Sequence, residues 1–262
     1  MNIDLSHKKA LIGGSTQGLG KAIAMQMASC GASVTLMARN EEKLKEVLSD
    51  LPTSRGQQHQ YLVVDFYEFE DCKSKVTEYF KHHTVDILVN NTNGPKAGTI
   101  EQKTLEDFNE AYRLLFETNC FTTLKAIENM KKNGFGRIIN VSSMTVKEPN
   151  LNLVLSNTMR TAWLSFNKSL SVELGPYGIT VNSILTGLFD TARIKSLNAH
   201  RAEQSQKSIA EIEEKQVADI PVKRLGKPEE YGYLAAFLAS DFAAYLTGAS
   251  IPLDGGSYKG LY

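Results

Sequence analysis

The sequence predicts an α/β domain built on a doubly wound parallel sheet, and three observations carry that prediction. Apolar, β-branched runs recur along the chain, helix-period segments separate them, and the first run ends in a glycine-rich turn. The runs cover residues 9–12, 33–38, 60–64, 85–90, 137–141, 180–184 and 250–253, each bounded by Gly, Asn, Asp or Pro, and they mark seven strands. Helical segments begin near Gly18, Glu41, Phe69, Leu105, Leu155 and Pro228. Strands separated by helices form right-handed crossovers, which place helices on both faces of one sheet.

Composition fits that architecture and narrows the function. A chain of 262 residues, 42% hydrophobic and 22% charged, buries one large core, so residues 1–262 read as a single domain and not as a disordered chain or a coiled coil. Lys plus Arg and Asp plus Glu both number 29, so no basic field exists to gather nucleic acid. Asp4, His7, Lys8 and Lys9 stand where a signal peptide needs apolar residues, and no run approaches the ~18 apolar residues of a membrane span. A soluble, cytoplasmic protein with no membrane partner is the expectation. Cys30, Cys72 and Cys120 are too scattered for a disulfide framework or a CxxC metal site; three free thiols and no metal are expected. One stretch breaks the strand–helix rhythm: 190–219 is long, polar and helix-prone, either a substrate lid or a solvated pair of surface helices.

The turn after the first strand reads Gly13-Gly14-Ser15-Thr16-Gln17-Gly18-Leu19-Gly20. Gly14 permits a sharp turn, Gly18 lets the backbone approach a pyrophosphate, and Gly20 allows close helix packing, while the following helix offers its unpaired N–H groups to an anion. Ser15, Thr16 and Leu19 complete the candidate contacts of a Rossmann dinucleotide site; a merely tight turn is the plainer alternative. At the end of the second strand Met37-Ala38-Arg39-Asn40 lacks the acid that bonds the ribose of NAD. Arg39 offers a planar fork suited to a 2′-phosphate, so NADP(H) is expected over NAD(H), unless Arg39 pairs with Glu41 or Glu42 on the surface. Asp65 either accepts a bond from the adenine amine or simply forms a turn.

These residues, with others further on, resemble the short-chain dehydrogenase/reductase family in its classical branch. The resemblance runs through Asn90-Asn91-Thr92-Asn93-Gly94, Asn140-Val141-Ser142-Ser143, Val181-Asn182 with Gly187 and Thr191, Arg224 to Glu230, Leu246-Thr247-Gly248 and Asp254-Gly255-Gly256, all in the family's order. The pattern is most similar to 3-oxoacyl-acyl-carrier-protein reductases. That similarity implies NADPH, a small carbonyl or acyl substrate and a homotetramer or homodimer, with Asn91, Gly187 and Thr191 among the cofactor contacts. It also implies a catalytic Ser, a Tyr, a Lys four residues after the Tyr and a helical Asn. Ser143 and Asn119 match; the Tyr position is Ser156 and the Lys position Arg160, which would also reach the cofactor's ribose. Smaller departures are Gly13, where the family often has Thr, and Thr186, where it usually has Pro.

The substitution changes the chemistry. A phenol near pKa ~10 can be tuned toward neutrality, whereas the hydroxyl of Ser156 is a poor proton source. Arg160 keeps a positive charge one helical turn away and can stabilise a developing oxyanion, though it cannot shuttle a proton. Three readings stay open. One is an NADPH-dependent reductase using Ser143, Ser156, Arg160 and a water-borne proton, supported by Asn119. The second is an NADP-binding protein without turnover. The third is an isomerisation or dehydration through Lys147 or Glu148.

Overall fold

The computed structural model describes residues 2–261. β1 (Lys9–Gly13) leads into α1 (Gly18–Ser29), β2 (Ser33–Ala38), α2 (Glu41–Asp50), β3 (Gln60–Val63), α3 (Phe69–His82) and β4 (Ile87–Asn90). The second half adds α4 (Leu105–Tyr112), α5 (Thr118–Asn133), β5 (Gly136–Val141), α6 (Val154–Leu174), β6 (Ile179–Thr186), α7 (Ala192–Ser205), α8 (Ile209–Asp219), α9 (Pro228–Ala239) and β7 (Ser250–Leu253). The strands form one sheet in the order β3-β2-β1-β4-β5-β6-β7, every pair parallel. Winding reverses between β1 and β4, and that switch point is where such sheets open a ligand crevice.

Alternate residues of the strands feed opposite cores, as the two-residue period of a strand requires. Ile12, Leu36, Ile87 and Ile139 pack on one face with α1, α2 and α9 through Ile23, Leu44 and Tyr231. Leu11, Leu88, Ile138 and Val181 pack on the other with α3, α5 and α6 through Val76, Met130 and Leu174. Helix ends follow local chemistry. The Asn40 side chain accepts the Lys43 N–H to start α2, and Thr104 with Asp107 and Ser208 with Glu211 form reciprocal capping boxes at α4 and α8. The stripe of Trp163 and Leu170 on α6 is buried within the chain, with Trp163 stacked on Phe166 and edge-on to Phe116, so core packing accounts for it.

One feature differs from the sequence pattern. The helix that the 3.6-residue period extends from Leu105 through residue 119 is interrupted by a π-helical turn, Arg113–Glu117, and the Asn119 amide donates to the Leu115 carbonyl within that turn (2.9 Å). The segment 190–219 forms α7 and α8, tied together by reciprocal amide bonds between Asn198 and Gln216 (3.0 and 2.8 Å). Its neck is closed by a parallel bridge between Phe189 and Gly226, through Asp190 N–H to the Gly226 carbonyl and Gly226 N–H to the Leu188 carbonyl (both 2.9 Å). A Cβ on Gly226 would run into the Phe189 ring, so glycine is what lets this neck close.

A buried polar rail crosses the sheet beneath its carboxyl end. The Asn90 amide donates to the Asn140 carbonyl oxygen (2.9 Å) and to Thr123 (2.9 Å); Asn140 donates to the Asn182 backbone carbonyl (3.2 Å), and Asn182 to that of Leu246 (2.7 Å). Buried amides are costly unless bonded, so the rail fixes β4, β5 and β6 against one another. Asn140→Leu is expected to destabilise the fold by about 1–3 kcal/mol, read from urea denaturation, through the partners it strands.

Candidate active site

The carboxyl ends of β1, β4, β5 and β6 open into a cleft of about 660 Å³, walled by the turn after β1, the loop after β4, the end of β5, one face of α6 and the start of α7. At the turn Gly14 and Gly18 have φ of 57° and 53°, the left-handed region that glycine enters without strain. A Cβ on Gly20 would overlap the Gly14 carbonyl oxygen, so close packing of α1 on the turn requires glycine there. Asn91 braces the turn from the next strand, its amide donating to the Gly13 carbonyl (3.0 Å). The cleft therefore presents backbone, with no side chain in the way at Gly14 and Gly18, and a helix N-terminus behind it; this is the shape a diphosphate fits.

Gly14, Gly18, Leu19, Asn91, Ser143, Ser156, Arg160, Gly187 and Thr191 all line the cleft. Five expected residues are not part of its wall. Ser15 is buried, and its hydroxyl accepts the Met37 N–H (2.9 Å), which ties the turn to β2. Thr16 lies beside it, half-buried. Asn119 holds the Leu115 carbonyl within its own helix. Arg39 stands at the end of β2 and faces Asp65 at 3.8 Å, not Glu41 or Glu42, which pair with Lys45. With both side chains partly exposed, the Arg39–Asp65 contact is weak and leaves the guanidinium's donors available.

The inner end of the cleft is built around Arg160. Its Nη1 donates to the Val141 carbonyl (2.7 Å) and its Nε to the Ser156 hydroxyl (3.2 Å). Among the described residues no carboxylate pairs with it. Protein packs around the guanidinium while one side stays open to the cleft, and this desolvation brings its pKa down to about 10. The Arg193 charge adds to the fall and Tyr231 opposes it; at neutral pH the group remains a cation. Ser143, at the end of β5, accepts the Thr145 N–H (3.2 Å). Tyr231, fully buried, bonds the Thr186 hydroxyl (3.0 Å) and the Ile184 carbonyl (3.3 Å), and burial holds its phenol well above the ordinary range.

Sequence reasoning missed several residues of this wall: Tyr67, Tyr258, Arg193 and Arg201, with Thr186 and Glu148 noted only in passing. Tyr67 and Tyr258 sit in loops whose placement no periodicity announces. Arg193, Leu197 and Arg201 did carry a signal, because residues four apart share one helical face. Thr191 caps α7 through the Ile194 N–H (3.4 Å), and a Cβ on Gly18 would sit 3.4 Å from its methyl carbon, so α7 starts directly against the glycine turn. Among the described residues no helix is long and apolar enough to cross a membrane, and no group of three or more His, Cys, Asp or Glu side chains is placed to hold a metal ion.

A glycine turn on a Rossmann switch point, with hydroxyl groups and a cation at the ends of β5 and α6, defines a nucleotide-linked oxidoreductase class, and comparison bears this out. Residues 14–258 match the family model for Enoyl-(Acyl carrier protein) reductase, and the chain belongs to the short-chain dehydrogenase/reductase family. Among its relatives, the NADPH-dependent reductase BacG of Bacillus subtilis is 30% identical over 98% of this chain and all of its own length. The 3-oxoacyl-[acyl-carrier-protein] reductase FabG of Aquifex aeolicus is 29% identical over the same shares. L-sorbose reductase from Gluconobacter frateurii, solved with NADPH and L-sorbose, superposes with a TM-score of 0.92 at 28% identity, with both chains fully covered.

Proposed function

We propose that the chain is an NADP(H)-dependent oxidoreductase that reduces a small carbonyl compound, a 3-oxoacyl group or a related ketone, to the alcohol. The observation that carries this is the Arg160 guanidinium, held by the Val141 carbonyl and Ser156 beside Ser143, inside a cleft that continues to the glycine turn. On this reading the main chain of Gly14 to Leu19, Ser15 and Thr16 included, receives the diphosphate, Arg39 the 2′-phosphate and Asp65 the adenine amine. Asn91, Gly187, Thr191 and Arg160 hold the nicotinamide half. The bound nicotinamide supplies a hydride to the carbonyl carbon.

Ser143, Ser156 and Arg160 then hold the oxygen as negative charge grows on it, the term that preorganised donors and charges contribute most strongly in a desolvated site. Ser156 stands where the family's Tyr stands and Arg160 where its Lys stands. Neither is acidic enough to deliver the proton, which comes from water in the cleft. Asn119 is a positioning residue that fixes the π-turn packed against α6. Assembly as a homotetramer or homodimer belongs to the same reading.

A second reading, a nucleotide-binding protein without turnover, is favoured by one observation: the hydroxyl nearest Arg160 belongs to a serine. Calorimetry with NADPH, combined with a panel of ketones monitored by loss of NADPH absorbance, separates the two. Oxidation of NADPH supports the reductase, and tight binding with no oxidation across the panel supports the alternative.

Three variants test the assignment. Ser143→Ala is expected to lower kcat/KM by about 10²–10³ on a ketone the wild type reduces; parity with wild type removes Ser143 from the mechanism. Arg39→Ser is expected to raise the Kd for NADPH roughly ten- to a hundredfold while leaving NADH within about twofold, as loss of charge-assisted bonds to one phosphate dictates. The double change Ser156→Tyr with Arg160→Lys is expected to raise kcat and to introduce a pH dependence absent from the wild type.

A further inference from the structure

Arginines outnumber carboxylates on the wall of the cleft. Arg160 lies on its floor, and Arg193 and Arg201 face it from α7, one helical turn to either side of Leu197. Among the described residues none of the three makes an ion pair with a carboxylate. Two acidic residues share the wall. The Asp254 carboxylate is occupied by the N–H groups of Gly256 (2.9 Å) and Tyr258 (2.8 Å), and Glu148 is exposed at the mouth. Arg193 lies across the cleft, its Nη2 donating to the Pro95 carbonyl (2.9 Å) and its guanidinium resting on Gly94. Burial lowers its proton affinity, and its charge is felt at Arg160. Guanidinium groups that face one space without a carboxylate partner are a site for an anion.

On the reductase reading the phosphates of a dinucleotide would have places elsewhere. The glycine turn and the start of α1 would receive the diphosphate, and Arg39, outside the cleft wall at the end of β2, the 2′-phosphate. That leaves the α7 face, where Ile194 and Leu197 add apolar surface between the two cations. We propose that the substrate carries a carboxylate as well as its carbonyl, and that Arg193 and Arg201 hold the carboxylate over an apolar body while Arg160 takes the carbonyl oxygen. This rests on the reductase reading above and narrows its substrate to an oxo acid in the free acid form, distinct from the uncharged thioester of an acyl carrier.

The test uses benzoylformate and its methyl ester, which share a ketone and an aromatic body and differ by one negative charge. Calorimetry on the full chain saturated with NADP+ is expected to show the acid binding at least tenfold more tightly than the ester, with the margin shrinking in high salt. Arg193→Ala and Arg201→Ala are each expected to cut acid binding about tenfold, leave ester binding unchanged and hold the NADPH Kd within about twofold. Equal or tighter binding of the ester overturns the proposal, as does binding of neither compound; if NADPH is still oxidised with other ketones, the reductase reading survives. A loss of NADPH affinity in the two variants with no change in acid-to-ester preference assigns these arginines to the cofactor's phosphates and overturns the proposal likewise. Failure of the wild type to bind NADPH removes the reductase reading and this inference together.

Discussion

Arg160 sets the terms for the rest of the site. A guanidinium largely removed from water, with a backbone carbonyl and a serine hydroxyl as its partners, is left undercompensated, and the same desolvation lowers its pKa. The cavity around it is consequently biased toward negative charge before any ligand arrives. The neighbouring groups are compatible with that bias. Tyr231 stays a neutral phenol behind Thr186, and Ser143 and Ser156 are hydroxyls that can turn a proton toward an oxygen. A carboxylate in the same place would neutralise the cation and leave the cavity with no preference.

Holding an uncompensated charge in position requires a rigid frame, and the sheet supplies it. Main-chain bonds fix each strand to the next, and the Asn90–Asn140–Asn182 rail adds side-chain bonds below the strand ends that carry Ser143 and Thr186. Glycine at positions 14, 18 and 20 performs the complementary task of bringing backbone close to the ligand space without steric strain. Rigidity on one side and close approach on the other both come from residue choice at a few strand ends.

The sheet was legible in the sequence because buried parallel strands show as short β-branched runs between turn residues. The runs at 33–38 and 250–253 coincide with β2 and β7, whereas 180–184 underestimates β6, which continues to Thr186 because β7 keeps pairing with it. Such extension is a tertiary effect that no local pattern carries. The glycine turn was legible by its spacing, and Ser143, Ser156 and Arg160 through the resemblance to the family. The inward turn of Ser15 and the π-turn before Asn119 were not, since both depend on which backbone groups packing brings within reach of these side chains. Asp65 facing Arg39 needed the β2–β3 register to be known. The α7 arginines show the opposite case: their spacing was present, but nothing in one dimension says which helical face looks at the cleft.

The neck formed by Phe189 and Gly226 joins the α7–α8 lobe to the sheet, and the Arg193 bond to the Pro95 carbonyl and the Val222 bond to the Gly255 carbonyl hold the lobe in place. Beyond it, α7 and α8 are bound to each other by the Asn198–Gln216 amides; behind it, the sheet is complete without them. Because the chain leaves and re-enters at a single pinched point, the entropy of closing that loop is set there and depends only weakly on what the lobe contains. The part of the lobe beyond Arg193 can therefore be lengthened, shortened or exchanged at little entropic cost to the sheet behind it.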